Sequence, residues 1–143
     1  MPAETLSRFP LAVIVAAQFL GTSLWFSVNG VGLSLGQELG LTETDLGRLT
    51  IATQAGFILG TLTLAATGLA DRFRASRVFA VAAVLGALIN GAFVLVAWQP
   101  SAALVMRFAT GLCLAGIYPL GMKLVISWTP RHTGAALAWL VGM

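Results

Sequence analysis

VFAVAAVLGALINGAFVLVAWQPSAALVM, residues 78–106, runs for 29 residues between Arg77 and Arg107 without a charge. A helical crossing of a bilayer needs about 20 mostly apolar residues, so one complete span fits inside this run. The Trp98-Gln99-Pro100-Ser101 turn closes that span and opens the next. Working outward, 22 uncharged residues (49–70) lie between Arg48 and Asp71, and 29 more (9–37) between Arg8 and Glu38. Beyond the turn, an apolar stretch from Ala102 to Trp128 is interrupted only by Arg107 and Lys123. The charges therefore punctuate four spans, at about 10–34, 46–70, 77–98 and 102–127.

Composition supports this reading of the whole chain. Eight Lys+Arg and five Asp+Glu make only 9% of the 143 residues charged, against 58% apolar, with a mean hydropathy of +0.92. Soluble domains carry about 25% charged residues, and so few charges cannot cover a water-soluble core of this size. The net charge of +3 is dispersed among apolar runs, which excludes a nucleic-acid footprint. One cysteine, Cys113, excludes an internal disulfide, and one histidine, His132, excludes a His-based metal cluster. No phosphate-cradling loop, nucleophile–base set, paired intramembrane carboxylates or HExxH motif is present, so neither an enzyme nor a cofactor is expected. The expected fold class is all-α: a polytopic transmembrane helix bundle, without the strand alternation a β-barrel needs.

The end of the chain differs from the rest. Thr129-Pro130-Arg131-His132 closes the fourth span, and Thr133 can cap a new helix. The 11 residues 133–143 cover about 16 Å, half a membrane. A truncated fifth span, and hence an N-terminal fragment of a longer protein, is the expectation. Sidedness follows from the short loops. Arg8, Arg72, Arg74, Arg77 and Arg131 fall on one side and Arg48 on the other, which predicts a cytoplasmic N-terminus. Thr42-Glu43-Thr44-Asp45 reads as a capping box opening the second span. Gly32/Gly36, Ala52/Gly56/Gly60 and Gly111/Ala115 have the four-residue spacing that lets helices approach closely in lipid, and packing is their expected role.

Polar groups in hydrocarbon are costly and face a partner or an aqueous path. Gln18, Thr22, Trp25 and Asn29 form one stripe on the first span at 100° per residue. Asn29, Gln54, Asn90 and Arg107 share a depth in the outer half, where they are expected to satisfy one another or to glue the bundle. Arg107 is the one full charge well inside the outer half, at a cost of at least ~2.5 kcal/mol on insertion scales. Tyr118 falls within about 20° of its face, whereas Lys123 points some 160° away and reads as a snorkelling anchor. Pro119 removes the hydrogen bond to the Ala115 carbonyl, and with Gly116 and Gly121 beside it predicts a kink or hinge. Trp98 and Trp128 stand at span ends as belt anchors.

Two segments resemble a known family. Leu69-Ala70-Asp71-Arg72-Phe73, followed by Arg74 and Arg77, resembles the signature loop Gly-x-Leu-Ala-Asp-Arg-x-Gly-Arg-Lys of the major facilitator superfamily, with Thr67, Arg74, Ala75 and Ser76 departing from it. Leu104-x-x-Arg107-x-x-x-Gly111, with Ala115, is similar to the Arg-containing motif of that family's fourth helix, with Thr110 and Cys113 as departures. The stretch from Ala115 through Tyr118-Pro119 and Lys123 to Trp128 also resembles bacterial porters of this superfamily.

The resemblance implies helices one to four and the start of five of a twelve-helix secondary transporter in a bacterial cytoplasmic (inner) membrane, its second half absent. It implies a small-molecule solute and the lipid bilayer as partners, and no nucleic acid. Because family helices one and four line the cavity, it makes Gln18, Thr22, Trp25, Asn29, Arg107 and Tyr118 pathway candidates, and Gln54 of the second span, at the depth of Arg107, is a further one. Asp71, with Arg72, Arg74 and Arg77, becomes a conformational latch toward the second half. No membrane carboxylate is available to carry a proton in these spans. The competing reading is a self-contained four-helix protein that oligomerises as a structural or regulatory module; the half-length fifth span argues against it.

Overall fold

A computed structural model describes residues 8–128 together with Gly134 and Ala138. The described residues contain helices and no strand. They are α1 (Arg8–Gly30), α2 (Gly32–Leu39), α3 (Glu43–Thr67), α4 (Leu69–Arg72), α5 (Ala75–Val96) and α6 (Pro100–Trp128). Four stretches, Pro10–Gly30, Glu43–Thr67, Ala75–Val96 and Pro100–Trp128, are long and apolar enough to cross a membrane, so the molecule is the expected all-α membrane bundle. Of the expected fifth span, 133–143, only Gly134 and Ala138 are described, both helical. Trp139, the 129–132 turn and the side chain of Arg8 lie outside the described residues.

The first helix departs from the expected span. It stops at Gly30, short of the expected end near residue 34. Val31 leaves the helical region (φ −114°, ψ 13°) between two glycines, each of which weakens a helix by about 1 kcal/mol relative to Ala. The short α2 then runs to Gly40, whose φ of 66° ends it while the Leu41 amide donates to the Gly36 carbonyl (3.0 Å). The second span begins at Glu43, a few residues before the expected 46. It opens on the expected capping box. The Asp45 amide donates to Thr42 Oγ1 (3.2 Å), and the Thr42 amide to Asp45 Oδ2 (3.0 Å). At the other end Gly68, at φ 63°, turns α3 into α4.

Helix α6 is the centre of the bundle. Half of its most apolar window is buried, against 17–22% for the other three spans. It packs on α1, α3 and α5, while α3 and α5 lie to either side of it. In lipid the hydrophobic effect does not drive helices together, so close van der Waals contact must do so. Small residues provide it. A Cβ on Gly56 would overlap the Phe108 carbonyl oxygen, and one on Gly111 the Thr53 carbonyl oxygen, so the α3 and α6 backbones touch. On the α5 side, a Cβ on Gly116 would lie 2.7 Å from the Ala82 methyl.

Apolar packing is concentrated at two levels. One holds Val28, Leu49, Phe93, Ala97 and Ala103, beside α2; the other holds Phe79, Leu114, Ile117 and Leu120, toward α4. Along α6, Arg107 falls between Ala103 and Leu114. Most threonines of α3 find an acceptor in their own helix: Thr50, Thr53, Thr61, Thr63 and Thr67 each donate to the carbonyl four residues back, Thr50 alternatively to Asn29 of α1. Outward faces are apolar, with Leu33, Val94 and Leu95 more than 70% exposed, as a lipid-facing surface requires.

Candidate functional site

Arg107 projects from the middle of α6 and is 1% exposed. Its Nη1 donates to Asn90 Oδ1 of α5 (2.8 Å) and to Ser27 Oγ of α1 (3.2 Å). Its Nη2 reaches the α1 carbonyls of Trp25 (3.3 Å) and Leu24 (3.5 Å). The Phe93 ring lies 6.0 Å from the guanidinium carbon, and Nε has no hydrogen-bond partner. Among the described residues no carboxylate pairs with Arg107; the ion pairs are Arg48–Asp45 and Lys123–Asp71. The charge is thus held by neutral oxygens from two other helices. Such an arrangement clamps α1, α5 and α6 together at one depth.

The expected mutual satisfaction at this depth is half realised. Asn90 meets Arg107, but Asn29 does not: it accepts from Thr50 Oγ1 of α3 at 3.0 Å. Gln54 is exposed and apart from the cluster. Ser27 takes the place assigned to Asn29. The two lie about 160° apart around α1, so a shared depth did not mean a shared face. Ser27 also donates to Asn90 Oδ1 (2.8 Å) or to the Leu24 carbonyl (2.9 Å), which keeps its hydroxyl satisfied between α1 and α5.

Gln18 is 2% exposed. Its Nε2 donates to the Tyr118 carbonyl (3.4 Å) while Oε1 is buried without a partner. It lies in the space left by the missing side chain of Gly121, where a Cβ would overlap the amide. One turn on, the Thr22 hydroxyl donates to the Gln18 carbonyl. The Trp25 ring meets Phe57 of α3 edge to face, centroids 4.8 Å apart.

Thr22, Trp25 and Tyr118 line one cavity of about 780 Å³. Phe57 belongs to the same wall, and Phe19 and Phe26 of α1 extend it. The lining residues carry aromatic rings and hydroxyls but no charge. Three of the seven pathway candidates therefore share this wall. Gln18 sits behind it, Asn29 and Gln54 lie elsewhere, and Arg107 reaches its back through Ser27, which lines the cavity. Sequence reading missed Ser27, Phe57, Phe19 and Phe26. A phenylalanine in an apolar span gives no distinguishing signal and a lone serine can satisfy itself on its own helix, so only the packing of α1 and α3 on their neighbours selects these positions.

At the opposite end from α2, Lys123 Nζ meets Asp71 Oδ1 at 2.7 Å and the Ala70 carbonyl at 3.2 Å. Lys123 is therefore more than the snorkelling anchor expected of it: it fastens α4 to the end of α6. The ammonium, by hydrogen bond first and charge second, holds the Asp71 carboxyl below the usual carboxylate range. Arg72, Arg74 and Arg77 are exposed and form no ion pair among the described residues. Helix α6 runs unbroken through Pro119, and the flanking Gly116 and Gly121 are filled by Ala82 and Gln18.

Compared with known families, the chain matches the family model described as Major Facilitator Superfamily over residues 11–143. Neither the curated proteins nor the solved structures yield a match.

Proposed function

The chain belongs to the major facilitator superfamily of membrane transporters, and from that premise we propose that the cavity between α1, α3 and α6 is one wall of a solute path worked by alternating access. A second bundle, the other half of the transporter, closes the open side of this cavity and rocks against it. The supporting observation is the wall itself. Its volume of about 780 Å³ falls within the roughly 300–1,000 Å³ typical of small-molecule sites. Its rings and hydroxyls suit a small, uncharged, amphipathic solute.

Arg107 is a positioning residue in this reading. Its Nη groups face Asn90, Ser27 and two α1 carbonyls, so an anion in the cavity would gain few direct donors for the cost of losing water. Its charge behind the Ser27 wall opposes a cation. Thr22, Trp25 and Tyr118 line the path with Gln18 behind them, and Pro119, next to Gly116 and Gly121, is where α6 can bend between states. The loop with Asp71, Arg72, Arg74 and Arg77 faces the cytoplasm, as does the N-terminus, in a bacterial inner membrane. There Asp71 latches one state by engaging the second half.

Cysteine accessibility tests this. With Cys113→Ser as background, Thr22→Cys should react with a membrane-impermeant maleimide applied from either side of the membrane, labelling from one side rising as labelling from the other falls. Cysteine at the outward-facing Leu95 should resist both. Labelling of Thr22→Cys from one side only, whatever the conditions, defeats alternating access through this cavity.

A further inference from the structure

A second groove, of about 510 Å³, runs between α3 and α5 with α6 as its floor. Gly60 of the α3 wall and Gly116 of the α6 floor let the three helices close on one another, because both lie where backbones or methyl groups already touch. Val81 and Leu85 form the α5 wall, and the single hydroxyl of the α3 wall, Thr63, is donated to the Leu59 carbonyl. The groove therefore offers a ligand apolar surface along its length, with the weakly polar Cys113 thiol as its one remaining uncharged donor. Its one charge is Arg77, at the α4 end. From Arg77 to Leu85 is about 12 Å of helix, close to the ~15 Å half-thickness of a bilayer core.

The mouth is electropositive. Arg72, Arg74 and Arg77 fall within two turns of chain, and the one acidic group near them, Asp71, is taken by Lys123 at 2.7 Å. A strip one leaflet deep, apolar throughout and cationic at its headgroup end, has the shape and charge of a phospholipid site. We propose that this groove seats one acyl chain of an anionic phospholipid, its phosphate against Arg77. The site is separate from the solute cavity and does not depend on it.

Electron spin resonance of spin-labelled lipids tests it on the purified chain in bilayers. Spin-labelled phosphatidylglycerol should be immobilised in preference to spin-labelled phosphatidylcholine by about fivefold, the factor expected for one basic residue at a membrane surface. Arg77→Gln should level the two lipids, and Arg77→Lys should keep most of the preference. Leu85→Trp, which fills the groove without touching the charge, should remove the preference as well. Equal immobilisation of the two lipids by the unaltered chain overturns the proposal. So does a preference that survives Arg77→Gln, which would assign it to the other arginines, or one that survives Leu85→Trp, which would leave the groove without a role.

Discussion

Helix α6 meets α3 and α1 through seams built from opposite materials. Against α3 the contact is backbone on backbone, with Gly56 under Phe108 and Gly111 under Thr53, and the buried Thr53 satisfied within its own helix. Against α1 the distinguishing contacts are polar, Arg107 on Ser27 and two carbonyls and Gln18 on the Tyr118 carbonyl, beside the packing of Ile117 on Gly21. The glycine seam has no spare interaction to exchange; it either fits or fails. The polar seam leaves Gln18 Oε1 and Arg107 Nε without partners, both buried. A seam with unused hydrogen-bonding capacity has alternative arrangements available at modest cost, which is what a transporter needs beside its cavity. The comparison therefore predicts that α3–α6 carries stability and that α1–α6 is the seam able to change arrangement.

The sharpest way to break that assignment is Gly111→Val. A side chain there cannot be absorbed by a flexible neighbour, because what it meets is the Thr53 carbonyl and the Phe57 amide. The helices must separate along the seam, at a cost of about 3 kcal/mol, the upper range of ordinary overpacking. Denaturant titration of the purified protein should show that loss. A stability within about 1 kcal/mol of the unaltered protein would mean the seam is not rigid.

Arg107→Ala should do the reverse. Interhelical hydrogen bonds within membranes average only about 0.6 kcal/mol, and removal of the side chain also removes a buried charge with no counterion. Ser27 and Asn90 retain each other at 2.8 Å. The expected stability loss is about 1 kcal/mol, with insertion intact and transport abolished because α1 is no longer held in register. Wild-type transport by the variant would end the clamp role; a stability loss as large as that of Gly111→Val would erase the contrast between the seams.

Much of this architecture was legible in the chain, and the reason is electrostatic. Charges are so costly in hydrocarbon that Arg8, Glu38, Arg48, Asp71 and Arg77, with the Trp98–Ser101 turn, marked the span limits almost by themselves. The Thr42–Asp45 box and the glycine spacings were equally readable, because each depends on neighbours within one turn of its own helix. What escaped depends on azimuth between helices. Depth alone grouped Asn29 and Gln54 with Arg107, but rotation of α1 and α3 turned them elsewhere and brought in Ser27. The stop at Val31 was missed because the uncharged run continues to Gln37, so nothing in hydropathy marks it. Lys123 was correctly placed away from Arg107, yet that opposite face is where α4 returns against α6, a contact between residues 52 positions apart.

The smallest expected effect belongs to the Asp71–Lys123 pair, and it sharpens the comparison by asking whether a third contact of α6 belongs with the rigid or the exchangeable kind. Both side chains are more than half exposed, so solvent screens the pair and it contributes little to global stability. Asp71→Asn should leave the denaturation midpoint unchanged while freeing α4 locally, seen as faster tryptic cleavage at Arg72 and Arg74. Its pH dependence has a definite sign. The carboxyl is depressed in the folded protein, so the pair is intact above the ordinary carboxylate pKa of 3.8 and is lost as pH falls below that value. A nitroxide on Arg72→Cys, in the Cys113→Ser background, should therefore show constant mobility from neutral pH to about 4 and a rise below it. Loosening already near pH 6 would mean that the Asp71–Lys123 pair is not what fastens α4.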